Sequence, residues 1–180
     1  MPPPRTRTTV VEITTAAARY AAAAGGAVVV TTLGVSLSGL ADETRAALDF
    51  GFDGVDSSPA EAAGIAMHNA KIAGAVLLCA ALAPHVTERA RDCTSLLVAM
   101  VLGLNAAAIG LAIGAYGTRA LRALAPHAPL ELAALSLASG AYLHACKQRL
   151  TLVALVVVAC TSAILLVAGA ALETYAGATR

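Results

Sequence analysis

Tryptophan is absent from this chain, and phenylalanine and tyrosine together make up only 3% of its 180 residues. Charge is scarce too, at 13% against roughly 25% in soluble domains. With 58% apolar residues, that shortage excludes an ordinary soluble domain and points to a membrane protein. The lack of aromatics excludes the usual belts at the membrane interfaces. Alanine and glycine dominate instead, which suits helices packed backbone to backbone. No basic stripe accompanies the net charge of +1, so nucleic acid is excluded as a partner. Cys79, Cys93, Cys146 and Cys160 lack the C-x-x-C spacing of zinc knuckles or redox pairs and read as reduced packing residues. Neither H-E-x-x-H nor G-x-S-x-G occurs, so no catalytic motif is present.

A membrane helix needs about 20 apolar residues, and five stretches approach that length: 17–39, 64–83, 94–116, 129–146 and 150–175. The fold expected is all-α, a polytopic transmembrane bundle of about five helices. A tail at 1–16 precedes a single membrane domain at 17–180. The fourth stretch is short and follows Pro129, which suggests an oblique path or a re-entrant turn. Arg5, Arg7, Arg89, Arg91, Lys147 and Arg149 place the N-terminus inside by the positive-inside rule, although Arg119 and Arg122 fall on the other side. The loop at 41–63 is then outside. It carries Asp42, Glu43, Asp49, Asp53, Asp56 and Glu61, interrupted by Leu48, Phe50, Phe52 and Val55, and reads either as a solvated linker or as a surface for the outer leaflet or a partner. The stretch ending at Ala41 also resembles a secretory signal. Its apolar core exceeds the usual ~7–15 residues, so retention of this helix is expected.

Two features stand out within the spans. Gly103, Ala107, Gly110 and Gly114 recur at helical spacing and include a G-x-x-x-G pair, a face that a neighbour can approach closely. Ser136 and Gly140 form a weaker ridge. The second feature is polar. His68, Asn69 and Lys71 lie in the outer half of the second stretch, Asn105 near the middle of the third, His127 and Glu131 at the outer start of the fourth, and Glu173 near the outer end of the fifth. Ionisable groups in hydrocarbon cost several kcal/mol, so their shared side suggests one functional cluster. The structural alternatives are specific. With Pro129 at the first helical position, Ala128 is the cap and Glu131 meets the helix dipole; Lys71 snorkels; Asn105 is interhelical glue. The string "ALAPH" occurs twice, ending at His85 and at His127, a coincidence expected in an Ala- and Leu-rich chain. His144, near the inner end of the fourth stretch, has no evident partner.

The ordered set of "HN" at 68–69, the glycine-rich stretch with Asn105, "PHAPLELAALSLASG" and the late Glu173 resembles the stage II sporulation protein M family of bacterial integral membrane proteins, over roughly residues 60–177. Ala128 and Pro129 stand where the family often has a glycine after the histidine, and Ala106 replaces the common glycine after Asn105, as in a divergent branch. The resemblance implies a non-catalytic membrane component that assembles with cell-wall remodelling factors, or with antimicrobial-peptide systems in related members.

Three function classes follow. The leading expectation is a scaffold in the lipid bilayer that binds other membrane or envelope proteins, or itself, with no cofactor. The second is an outer-leaflet enzyme, metal-dependent or acid/base, with His127, Glu131 and Glu173 as catalytic candidates and His68, His127, Glu131 and Glu173 as ligands for a divalent metal such as zinc. The third is a small ion-coupled transporter titrating through Lys71, Glu131 and Glu173, disfavoured because the inner half of the bundle is nearly free of charge.

Overall fold

The computed structural model describes residues 5–49 and 58–176. Phe50, Phe52, Asp53, Val55, Asp56 and Arg180 lie outside the described residues, as do the side chains of Arg5 and Arg7. The described chain is helical with no strand. Its elements are α1 (Arg5–Ser38), α2 (Ala41–Leu48), α3 (Pro59–Leu82), α4 (Glu88–Tyr116), α5 (Thr118–Leu124), α6 (Ala128–Lys147) and α7 (Leu152–Ala171), with a 3-10 turn at Ala83–His85 and a π turn at Leu172–Ala176.

Local chemistry sets most of the boundaries. Ser58 accepts from the Glu61 amide at 3.1 Å with Pro59 in the first turn, Thr87 accepts from Ala90 at 3.3 Å, and Thr151 accepts from Ala154 at 3.2 Å. Each supplies an N-cap worth about 1 kcal/mol. Gly39 and Gly117, at φ 75° and 60°, end α1 and α4 in conformations that cost a side chain-bearing residue energy. α1 has 34 residues and runs from Arg5 to Ser38, so residues 5–16 continue the same helix as the apolar stretch that begins at 17. At about 50 Å it exceeds the ~30 Å hydrocarbon core.

Residue pairs fix the directions of the five long helices. Val28 and Thr31 of α1 meet Gly110 of α4, and Thr32 and Val35 meet Gly114, so α1 and α4 run parallel. Glu12 meets Gln148 while Ile13 and Ala17 meet Gly140, so α1 and α6 are antiparallel. Ser162 donates to the Ala134 carbonyl at 3.3 Å, and Gly169 lies against His127 and Glu131, so α7 is antiparallel to α6. Asn69, in the middle of α3, pairs with Glu131 in the early turns of α6, and the 3-10 turn that ends α3 also packs on α6, so the two run the same way. The bundle is therefore up-and-down, with α1, α4 and α7 opposing α3 and α6.

α6 occupies the middle. It packs against α1, α3, α4 and α7, and its buried residues run from Ala128 to Ala145. Tyr142 is the largest fully buried side chain among the described residues. None of the large exposed apolar side chains belongs to α6. They sit on the surrounding helices, for example Leu33 and Leu37 of α1, Leu78 of α3, Leu104 of α4 and Ile164 of α7. α1, α3, α4 and α7 are long and apolar enough to cross a membrane. This outward-facing apolar ring, whose only favourable solvent is lipid, makes the chain a membrane protein. α6 falls short of the same apolarity because its neighbours, not lipid, surround it. It is one continuous helix that does not turn back, with α7 along its first turns and α1 along its last.

The glycine ridge of α4 is used inside the molecule. A Cβ at Gly110 would overlap Thr31 Oγ1 and lie 2.6 Å from the Val28 carbonyl oxygen; at Gly114 it would lie 2.7 Å from Val35 Cβ. Thr32 Oγ1 donates to the Gly110 carbonyl at 3.1 Å. Gly103 does not join this contact, since a Cβ there meets nothing within 4 Å, and Ala107 is only half-buried. The reason is the path of α1. It leans on α4 in its second half and on α6 in its first, where a Cβ at Gly140 would come within 2.7 Å of the Ile13 carbonyl and 2.8 Å of the Ala17 amide. Ser136, one turn before Gly140, is fully buried.

Candidate functional site

The polar residues converge in part, around the first turns of α6. His127, rather than Ala128, is the N-cap: its carbonyl accepts from the amides of Leu130 at 2.9 Å and Glu131 at 3.2 Å, and its side chain makes no capping bond. Pro129 takes the second helical position, where its missing N–H leaves nothing unsatisfied. Glu131, one turn in, is therefore aimed sideways at a neighbouring helix and not at the free amides of its own. The Asn69 amide Nδ2 donates to Glu131 Oε1 at 2.6 Å and ties α3 to α6.

Asn105 of α4 joins them. Asn69, Asn105 and Glu131 line one cavity of about 20 Å³, closed by Ile72, Ile109, Leu132, Leu135 and Leu166. That volume holds about one water molecule. Asn105 Nδ2 donates to the Val101 carbonyl of its own helix at 2.7 Å, so its amide is anchored before it reaches the cavity. The fourth wall comes from α7. Gly169 lets α7 approach the start of α6, where a Cβ would lie 3.4 Å from Glu131 Cγ and 3.7 Å from the His127 carbonyl oxygen. One turn later Glu173, half-buried on the π turn, stands within electrostatic reach of both His127 and Glu131. The His127 side chain is buried with Nδ1 lacking a hydrogen-bond partner among the described residues, and Thr174 Oγ1 beside Glu173 is in the same condition.

His68 and Lys71 do not take part. Both are exposed on α3, while Asn69, Ile72 and Ala73 turn inward. Two residues are about 200° apart around a helix, so Asn69 and Lys71 must face opposite ways. Of the four candidate zinc ligands, His68 thus stands apart from His127, Glu131 and Glu173, and among the described residues no three His, Cys, Asp or Glu side chains are placed to hold a metal ion. The two "ALAPH" strings also differ: His85 is exposed in a 3-10 turn, whereas His127 is a buried cap.

A second polar set, at the other end of the bundle, has little signature in the sequence. Glu12 Oε2 lies 3.2 Å from His144 Nδ1 and accepts from Gln148 Nε2 at 3.3 Å. Arg91 Nη1 donates to the Cys146 carbonyl at 3.2 Å, and its own carbonyl accepts from the Tyr142 hydroxyl at 2.7 Å and from Ser95 Oγ at 2.8 Å. The hint in the sequence is His144 within an apolar stretch; Tyr142, buried by the fold, also requires a partner for its hydroxyl. The four cysteines are free thiols.

On the far side of the bundle, α2 docks on the end of α4, where the Tyr116 hydroxyl donates to the Arg45 carbonyl at 3.2 Å. Asp42 and Glu43 are exposed on α2, with Asp42 paired to Arg45. Comparison with protein-family models, characterised proteins and solved structures returned no match to this chain.

Proposed function

We propose that the protein is a non-catalytic component of the cell membrane, a five-helix bundle with its N-terminus inside, that holds partner envelope proteins together. The observation that carries this reading is the size of the space at the polar cluster. Asn69, Asn105 and Glu131 surround about 20 Å³, whereas small-molecule sites occupy roughly 300–1,000 Å³. Side chains gathered there join α3, α4, α6 and α7 and leave no room for a substrate. The resemblance to the stage II sporulation protein M family supplies the partner class: cell-wall remodelling factors, or proteins of antimicrobial-peptide systems.

Partners do not dock on the glycine faces, because α1 fills them. The surface offered to a partner is the acidic helix α2, which packs on the end of α4, together with the lipid-facing sides of α3 and α7. Cross-linking in native membranes followed by purification in mild detergent tests the proposal. An envelope protein, or a second copy, should accompany the chain, and Asp42→Lys with Glu43→Lys should reduce its recovery without lowering the abundance of the bundle. A solitary monomer in native membranes would overturn the reading.

One observation favours a second reading, an acid/base centre at the outer leaflet. His127 Nδ1 is buried beside two carboxylates without a hydrogen-bond partner among the described residues, and the neighbouring π turn belongs to a class of distortion frequent at functional sites. Under this reading His127→Ala abolishes cellular function in a protein that still folds. Under the scaffold reading partner recovery survives that substitution.

A further inference from the structure

A second cavity lies away from the cluster, at the opposite end of the bundle. It is a groove of about 650 Å³ between the early turns of α1 and the last turns of α6, and its walls include Val11, Glu12, Arg19, Leu143, His144 and Lys147. We propose that this groove binds one anionic glycerophospholipid, with the phosphate between Arg19 and Lys147 and an acyl chain along the apolar wall.

The charge distribution selects this occupant. From Tyr20 to Ser38, α1 carries no charged residue, so Arg19 is the last charge before about 28 Å of apolar helix. Because α1 and α6 are antiparallel, with Ala17 at the level of Gly140, the backbone of Arg19 lies deeper in the bilayer than Lys147. Both residues line the groove, and because helical side chains lean toward the helix N-terminus, a side chain as long as that of Arg19 can snorkel along it toward the level of Lys147. Both cations are exposed, and neither makes a hydrogen bond or ion pair with another described residue. Glu12, the one carboxylate on the groove wall, is already engaged by His144 and Gln148. Two cations with no partner among the described residues therefore flank a largely apolar trough. A basic pocket between membrane helices on the positively charged side is the setting in which anionic headgroups bind. A free anion would satisfy the cations and leave the apolar wall bare; a zwitterionic lipid would bring its own cation to the site.

Native mass spectrometry of the full chain, titrated with phosphatidylglycerol or phosphatidylcholine, tests this. Phosphatidylglycerol should be retained and phosphatidylcholine lost. Arg19→Gln with Lys147→Gln should weaken phosphatidylglycerol binding by at least about tenfold, as expected for two basic side chains at a membrane surface. Lys71→Gln, an exposed cation at the other end, should leave it unchanged. Equal retention of the two lipids, indifference to the double substitution, displacement by inorganic phosphate at matching concentration, or occupation of the groove by a second copy of the chain would each overturn the proposal. Should the double variant fail to fold, a photoactivatable phosphatidylglycerol in the wild-type protein gives an independent reading. Cross-links confined to residues 11–23 and 143–148 support the site, and cross-links elsewhere refute it.

Discussion

Asn69 and Glu131 make the contact that most distinguishes the polar end of the bundle. Interhelical hydrogen bonds in membranes average about 0.6 kcal/mol and reach about 1.7, and this short one, to a carboxyl group, belongs near the upper end. A double-mutant cycle with Asn69→Ala and Glu131→Ala, read by unfolding in mixed detergent, should therefore return a coupling of roughly 1–1.5 kcal/mol. Glu131→Gln keeps an acceptor oxygen and should cost less than Glu131→Ala. Lys71→Ala, two positions along the same helix, should change stability by no more than about 0.5 kcal/mol. Part of this was legible by counting. Asn69 and Lys71 cannot share a helix face, so a cluster containing both was never geometrically available. His144 is the opposite case: its partner Glu12 is separated by 132 residues, and no local pattern connects them.

At the scale of elements, α1 decides most. Its second half fills the faces of Gly110 and Gly114, and its first half covers Gly140. Gly114→Val should destabilise the bundle by about 1–3 kcal/mol, the usual cost of overpacking, because the added carbon meets Val35 and the Thr32 carbonyl. Gly140→Val should do the same against the backbone of α1. Gly103→Ala meets open space and should be neutral or slightly stabilising through helix propensity. Thermal unfolding in detergent compares the three, and a destabilised Gly103→Ala would contradict the path assigned to α1. Removal of α1 after Ala41 would strip the glycine faces bare, so a chain beginning at Asp42 should fall sharply in membrane abundance, as measured by immunoblot. The G-x-x-x-G spacing announced a close approach but not whether the neighbour comes from the same chain.

For the whole molecule, the proposed orientation with the N-terminus inside has a direct test. In a background with all four cysteines replaced, single cysteines at Arg45 and Arg122 should react with an impermeant maleimide added outside intact cells, and those at His85 and Lys147 only after permeabilisation. Reaction of His85 and Arg45 from the same side would break the up-and-down arrangement. Composition and periodicity alone determined the helical class, the membrane setting and the approximate positions of the long helices, because a ~30 Å hydrocarbon layer admits few other solutions for apolar runs of that length. Only tertiary structure decided that α6 is the enclosed helix, that Asn69 finds Glu131 while His68 and Lys71 face away, and that Glu12 and His144 meet. Such contacts depend on the crossing and rotation of helices that are distant in sequence, and those follow from side-chain packing between neighbours, which no single segment encodes.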